Sequence, residues 1–255
     1  VASKAASFAL LVRFILAVFP GTVVINGQEI QAFWTQLAAA LAVISMTLGN
    51  VVALVQKNIK RLLAYSSIAQ AGYVLIGVAA LQATTTQGQE QAVASIAFYM
   101  FMYTFTNLLA FGIIILFSET TGSDTIADLA GLSKRSPMLA LGMTVALLSL
   151  GGVPPAAGFF GKFFLFQAAV NSNLVWLAVI GVLNSIVALY YYLVVIKVMY
   201  VDSSPDEDKP IRFSQTYVWV LGAAAIVVLL LGTVLATPIF EWATRGASAL
   251  FGVGV

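Results

Sequence analysis

The sequence predicts an all-α membrane protein of about seven transmembrane helices, one of them discontinuous. Three observations predict it. Of 255 residues, 61% are hydrophobic and 9% charged, against about 25% charged in soluble domains. Apolar stretches long enough to cross a bilayer, about 20 residues each, recur at roughly 2–20, 34–55, 62–81, 93–117, 137–170, 174–200 and 217–237. Lysine and arginine then fall in alternate connections only. The whole chain, 1–255, reads as a single transmembrane domain.

Taken in order, the first stretch begins as if already inside a helix. Its first residue is Val1, and no signal peptide precedes it, so an upstream part of a larger protein is expected. The second connection carries Lys57, Lys60 and Arg61, the fourth Lys134 and Arg135. Lys197, Lys209 and Arg212 flank the sixth, and the tail has Arg245. The first, third and fifth connections have no basic residue. By the positive-inside rule the even connections are cytoplasmic, or topologically equivalent. The mixed-charge run 202–209, with Asp202, Asp206, Glu207, Asp208 and Lys209, reads as a solvated connection. Tyr190 to Tyr192 and the tryptophans read as interface anchors or packing.

The fifth stretch is far longer than one span requires. At its middle stands GGVPPAAGFFGK, 151–162. Proline removes backbone hydrogen bonds and glycine loosens a helix. A helix broken between Gly151 and Gly158 is expected, with Gly151, Gly152, Pro154 and Pro155 as its hinge and Pro154 or Pro155 opening the second half. Such a break at membrane depth is tolerated where it is buried in protein or lines a cavity. The string is no phosphate loop: Phe163 follows Gly161-Lys162, and Ala156 occupies the place of the first glycine.

The chain has no cysteine and no histidine. That excludes disulfides, thiolate metal sites and thiol nucleophiles, and removes the usual near-neutral acid–base group. A net charge of +2 gives no sign of nucleic-acid binding. All ten acids are expected in loops or tails, so the basic residues inside the spans, Lys4, Arg13 and Lys162, have no obvious counter-charge. Lys162 has no Asp, Glu or His within twenty residues on either side. It falls near the midpoint of a half-helix about 24 Å long, too deep to reach the surface easily. Intramembrane lysines mark proton or ion paths, and desolvation disfavours the charged amine. Alternatively, freed carbonyls of the broken helix satisfy it. Lys4 is deep if its helix starts upstream and snorkels if it starts at Val1. Lys60 reads as an end anchor or as a supporting proton group. Beyond it Tyr65, Ser66, Ser67, Gln70 and Tyr73 interrupt an apolar span, with Ser66, Gln70 and Tyr73 on one face. Tyr99, Tyr103 and Asn107 form a similar face on the next helix. Such stripes order water or join helices.

SKAASFAL, GNVVALVQKNIKRLLAYSSIAQAGY, LLSLGGVPPAAGFFGKFFLF and LYYYLVVIKVMY together resemble the antiporter-like subunits of respiratory complex I. The resemblance is to the subunit N branch and its cyanobacterial and plastid counterpart, subunit 2 (or B) of the NDH complex. It runs over nearly the whole chain, is weakest in the last 55 residues, and covers only the C-terminal half of the family's usual length. The resemblance implies an antiporter-like fold, with the seven spans as the family's eighth to fourteenth helices and the broken one as the twelfth. It implies a proton-translocating subunit of an enzyme complex, an NAD(P)H or ferredoxin quinone oxidoreductase, in a bacterial plasma or thylakoid membrane. The chain itself would bind no redox cofactor and no metal; quinone and the electron donor would belong to the parent complex. Its partners would be the other membrane-arm subunits and lipid. By motif, Lys4 matches the central-axis lysine of the eighth helix and Lys162 that of the broken twelfth. Lys60 and Tyr65 match supporting positions. Proton-path polar residues would be Ser66, Gln70, Tyr73, Tyr103 and Asn107. Lysine at 162 favours subunit N over the M-type relative, which carries glutamate. Gln70 stands where many relatives have histidine. The glutamate and lysine of the family's first half-channel would lie upstream of Val1. An Mrp-type cation/proton antiporter subunit and a structural scaffold of the membrane arm are the alternatives.

Overall fold

The computed structural model describes residues 2–19, 24–25, 28–82, 85–204, 209–211 and 214–251. Arg212, most of the acidic run after Asp202, and Val1 lie outside them. Apart from turns and connections, the described residues are helical except for a small hairpin, β1 (Val24–Ile25) against β2 (Gln28–Glu29), in which Val24 faces Glu29. The helices are α1 (Ala2–Val18), α2 (Ile30–Leu54), α3 (Ile59–Ala79), α4 (Thr86–Thr121), α5 (Leu132–Arg135), α6 (Pro137–Gly151), α7 (Ala157–Asn171), α8 (Val175–Tyr200), α9 (Gln215–Leu231) and α10 (Ala236–Ser248).

Short polar side chains set several starts. Asn58 accepts from the Arg61 amide at 3.0 Å, and Thr85 from the Gly88 amide at 3.1 Å. Pro137 stands in the first turn of α6, where a missing N–H costs nothing. Inside the membrane every remaining backbone group must be satisfied within the segment, so apolar runs of this length fold as helices.

Four helices are long and apolar enough to cross a membrane alone: α2, α3 with its 3-10 extension to Gln82, α4 and α8. A fifth candidate is α9 with α10, bent by 78°. This differs from the expected span 217–237, because the helix stops at Leu231 and a further helix follows. α10 is amphipathic. It packs Phe240 on Phe164, ring centroids 3.9 Å apart, buries Ala243 and Ala247, and leaves Glu241, Trp242 and Arg245 outside. α4 has 36 residues, about 54 Å, longer than the hydrocarbon core of about 30 Å. Its ends project, so Glu90 and Glu119 are helical rather than in loops, and Glu241 lies in α10.

α4 is the hub. α3, α6, α7, α9 and α10 all pack along it. α2 lies against α3, and α8 closes the bundle against α2 and α6. Tyr73, Tyr99, Phe98 and Tyr192 are among the largest fully buried side chains. A core built around phenols rather than aliphatics alone places hydroxyls at membrane depth, next to the break.

Candidate functional site

The break between α6 and α7 organises the site. α6 ends because Gly152 adopts φ 84°, and its amide and that of Val153 turn back to Leu148 O. Pro154 and Pro155 lie in the turn, closed by Ala156 N on Val153 O, and do not open α7 as expected. α7 begins at Ala157 behind Ala156, which has no side chain able to cap it. Ser149 of α6 supplies the cap from across the break: its Oγ accepts from the Gly158 amide at 3.2 Å and pairs with Thr106 Oγ1 at 3.0 Å. That needs close approach. A Cβ on Gly158 would stand 1.7 Å from Ser149 O.

The last carbonyls of α6 have no intrahelical partner, and they form the negative end of its dipole. Two side chains take them. Lys162 Nζ donates to Gly151 O at 3.0 Å, and Gln70 Nε2 donates to Leu150 O at 3.1 Å. Lys162 is 4% exposed. Its ammonium lies over the Tyr73 ring, 4.5 Å from the centroid, and its stem packs on Gly152. Among the described residues no carboxylate pairs with it. Carbonyl dipoles and a π face hold the cation in place of an acid.

From Gln70 the contacts continue. Its Oε1 accepts from the Tyr99 hydroxyl, and Nε2 also reaches Tyr192 Oη at 3.5 Å. Tyr192 is hydrogen-bonded to Ser66. Tyr99 stacks on Tyr103, whose hydroxyl faces Asn107 and Ser67. Ser67 receives Lys4: Nζ donates to both its carbonyl and its Oγ at 2.9 Å. Lys4 thus points into the bundle, half-buried, while Arg13 lies exposed on the same helix. The structure brings Lys4, Ser66, Gln70, Tyr103 and Lys162 into one polar seam through α3, α4, α6 and α8. Asn107 joins it through Tyr103, although its own amide donates back to Tyr103 O at 2.8 Å.

Three expected members stand apart. Tyr73 lies beneath Lys162, but its hydroxyl makes no hydrogen bond to the seam. Tyr65 is half-buried, and its hydroxyl has no hydrogen bond among the described residues. Lys60 sits at the N-terminal end of α3, ion-paired to Asp124 at 2.7 Å and donating to Ser118 Oγ at 3.0 Å. Those contacts hold the Asp124 carboxyl below its usual range. The loop after α4 is fastened there by Ile59 N on Asp124 O and Ile126 N on Lys57 O, at 2.9 and 2.8 Å. Sequence reasoning missed Ser149, Asn50 and Tyr192 as site residues. Asn50 is an amide set deep in the apolar second half of α2, which was a usable signal. Ser149 and Tyr192 had none: the Gly158 amide meets Ser149 only once the break folds back, and the partners of Tyr192 are distant in sequence. Among the described residues no three acids group to hold a metal.

The pattern of the family described as NADH:quinone oxidoreductase/Mrp antiporter, TM, matches residues 1–188. NADH-quinone oxidoreductase subunit N of Moorella thermoacetica is 42% identical over 98% of this chain and 49% of its own length. A chain of respiratory complex I from Thermus thermophilus, solved with bound aureothin, is 31% identical with a TM-score of 0.67, covering 81% of this chain and 45% of that one. A chain of the Mrp complex from Dietzia has a TM-score of 0.82 over 97% of this chain and 51% of its own, at 19% identity, a likeness of fold alone. The chain spans about half the length of the relatives it matches.

Proposed function

This chain belongs to the NADH:quinone oxidoreductase/Mrp antiporter transmembrane family, and from that premise we propose that it is the C-terminal half of a proton-translocating antiporter-like subunit. The complex it serves is a quinone oxidoreductase driven by NADH, the donor in the name of the Moorella relative, or by NADPH or ferredoxin. α1 and the α6–α7 pair would be further spans, making seven with the five candidates. Quinone and electron donor belong to the parent complex, and this chain contributes no redox chemistry. Its neighbours are other membrane-arm subunits and lipid, in a plasma or thylakoid membrane.

One observation carries the reading: among the described residues, two lysines without carboxylate partners stand at the ends of one seam of hydroxyls and amides, buried at Lys162 and half-buried at Lys4. Lys4 and Lys162 are the proton-holding groups, and Ser66, Ser67, Gln70, Tyr99, Tyr103 and Tyr192 form the connection between them. Direct hydrogen bonds join Tyr99 and Tyr192 to Gln70, and Lys4 to Ser67. Water completes the interval between Ser67 and the tyrosines. A positive charge arriving at one lysine disfavours the proton on the other, so charge moves along the seam in alternation. Gly151 O steadies the Lys162 cation between transfers, and the broken helix allows that carbonyl to be free. Lys60 with Asp124 fixes the N-terminal end of α3 and so the position of Ser67.

Lys162→Ala in the full-length subunit, within its complex, tests this. Assembly and quinone reduction should persist while proton pumping into vesicles falls sharply. Normal pumping would refute the reading. The family pattern also takes in Mrp antiporters; cation-driven proton exchange without quinone or NADH would establish that activity instead.

A further inference from the structure

Asn50 is fully buried in α2, and its side chain is turned to α8. Nδ2 gives its two hydrogens to Asn184 O and Asn184 Oδ1, at 3.1 and 3.2 Å. Oδ1 accepts from the Tyr191 hydroxyl at 3.1 Å. The direction of the amide is forced. Asn184 donates its own Nδ2 to Ile180 O at 3.1 Å, so both atoms it turns to Asn50 are acceptors. A reversed Asn50 amide would set its oxygen against two oxygens. Its Oδ1 must therefore face Tyr191. Side chains on a helix lean toward its N-terminus, which brings Tyr191 back along α8 to the amide that Asn184 holds.

A phenol has one proton to donate. Tyr191 has two further acceptors beside it, the Tyr192 hydroxyl and Ser66, and the rings of Tyr191 and Tyr192 lie 4.5 Å apart at 60°. Both acceptors belong to the seam. Tyr192 is bonded to Ser66, and Gln70 Nε2 reaches Tyr192 Oη at 3.5 Å. That last contact is at the long limit of a hydrogen bond. A second donor arriving at Tyr192 Oη would displace it first.

We propose that Asn50 is a positioning residue that holds the Tyr191 proton out of the seam and so leaves the Tyr192 oxygen to Gln70 and Ser66. This rests on the proposed function, because the effect is read through the connection between Lys4 and Lys162. Tyr191 and Tyr192 are both buried. A Tyr191 hydroxyl released by Asn50 has no bulk water to turn to and takes a protein oxygen instead. The oxygens beside it are those of Tyr192 and Ser66. A Tyr191–Tyr192 bond fills the lone pair that Gln70 uses and interrupts the seam there. Asn50 also joins α2 to α8 through Asn184, a role in stability alone. The two roles separate, because only the first depends on the Tyr191 hydroxyl.

Variants of the full-length subunit within its complex tell the roles apart. Asn50→Leu should assemble, reduce quinone at the normal rate and pump severalfold fewer protons per electron. Tyr191→Phe keeps the ring against Tyr192 and should pump normally. The double variant, Asn50→Leu with Tyr191→Phe, should recover the normal ratio, because the competing hydroxyl is gone. It still lacks the joint to Asn184, so its thermal unfolding should be lowered as in Asn50→Leu. A double variant that pumps as poorly as Asn50→Leu, or an Asn50→Leu that pumps normally, overturns the proposal. A map of the unsubstituted complex tests it without any variant: Tyr191 Oη should lie on Asn50 Oδ1, and a direct Tyr191–Tyr192 bond there overturns it. If Lys162→Ala stops pumping while the double variant stays impaired, the role of Asn50 falls and the lysine path stands. If Lys162→Ala itself pumps normally, both fall.

Discussion

Gly158→Ala is the sharpest test of the break. An added Cβ would stand 1.7 Å from Ser149 O and 2.7 Å from Ser149 C, both backbone atoms, whereas ordinary contact begins at 3.4 Å. Neither atom can rotate away. The first turn of α7 must therefore retreat from α6 by about 1.7 Å, and overpacking of this kind costs about 1–3 kcal/mol. Lys162 lies one turn on, at i+4 on the same face, so the retreat carries it along. Its 3.0 Å bond to Gly151 O then passes 3.6 Å, beyond which no hydrogen bond remains. The cap from Ser149 is lost in the same movement. The measurement is thermal unfolding of the complex together with proton pumping in vesicles. Gly246→Ala is the control, since a Cβ there meets nothing within 4 Å and alanine favours a helix. Gly158→Ala should lower both stability and pumping, and Gly246→Ala neither. If Gly158→Ala matches the control in both, the cross-break contact does not hold Lys162.

Ser149→Ala separates the cap from the close approach. It leaves the Gly158 amide unpaired and should cost about 1–2 kcal/mol in thermal or denaturant unfolding; an unchanged transition would rule out the cap. Asp124→Asn tests the fastening at the N-terminal end of α3. The folded carboxyl is held below its ordinary value of 3.8, chiefly by Lys60 and then Ser118. Its contribution is therefore fully present above that value and fades as pH falls through the lowered folded value. The variant should be less stable at neutral pH, and the two stability curves should converge in acid. Parallel curves would exclude the ion pair as a source of stability.

Much of the fold was legible in the sequence. Apolar runs, the alternation of basic connections and the glycine–proline string each report a local property: transfer free energy, insertion bias and backbone hydrogen bonding. α10 was not, because Ala236–Ser248 has one apolar face only and a search for spans passes over it. The prolines favour a helix start by intrinsic preference; packing of α6 against α7 puts them in the turn instead. At the site, Lys162 stood out because an unpaired cation in an apolar run is anomalous wherever the chain folds. Tyr192 did not, because one phenol among three in a row, Tyr190 exposed and the other two buried, is told apart only by what it faces.

The sequence by itself determined that this is a helical membrane protein, where it breaks, and that a lysine without a local acid follows the break. Those are consequences of composition and of spacing along one chain. Tertiary structure alone decided what replaces the acid. The free carbonyl of Gly151 comes from the end of α6 and the ring of Tyr73 from α3, and hydrogen bonds act over about 3 Å, a range that sequence distance does not encode. The anomaly at Lys162 was written in its neighbours along the chain, and its solution in its neighbours across the bundle.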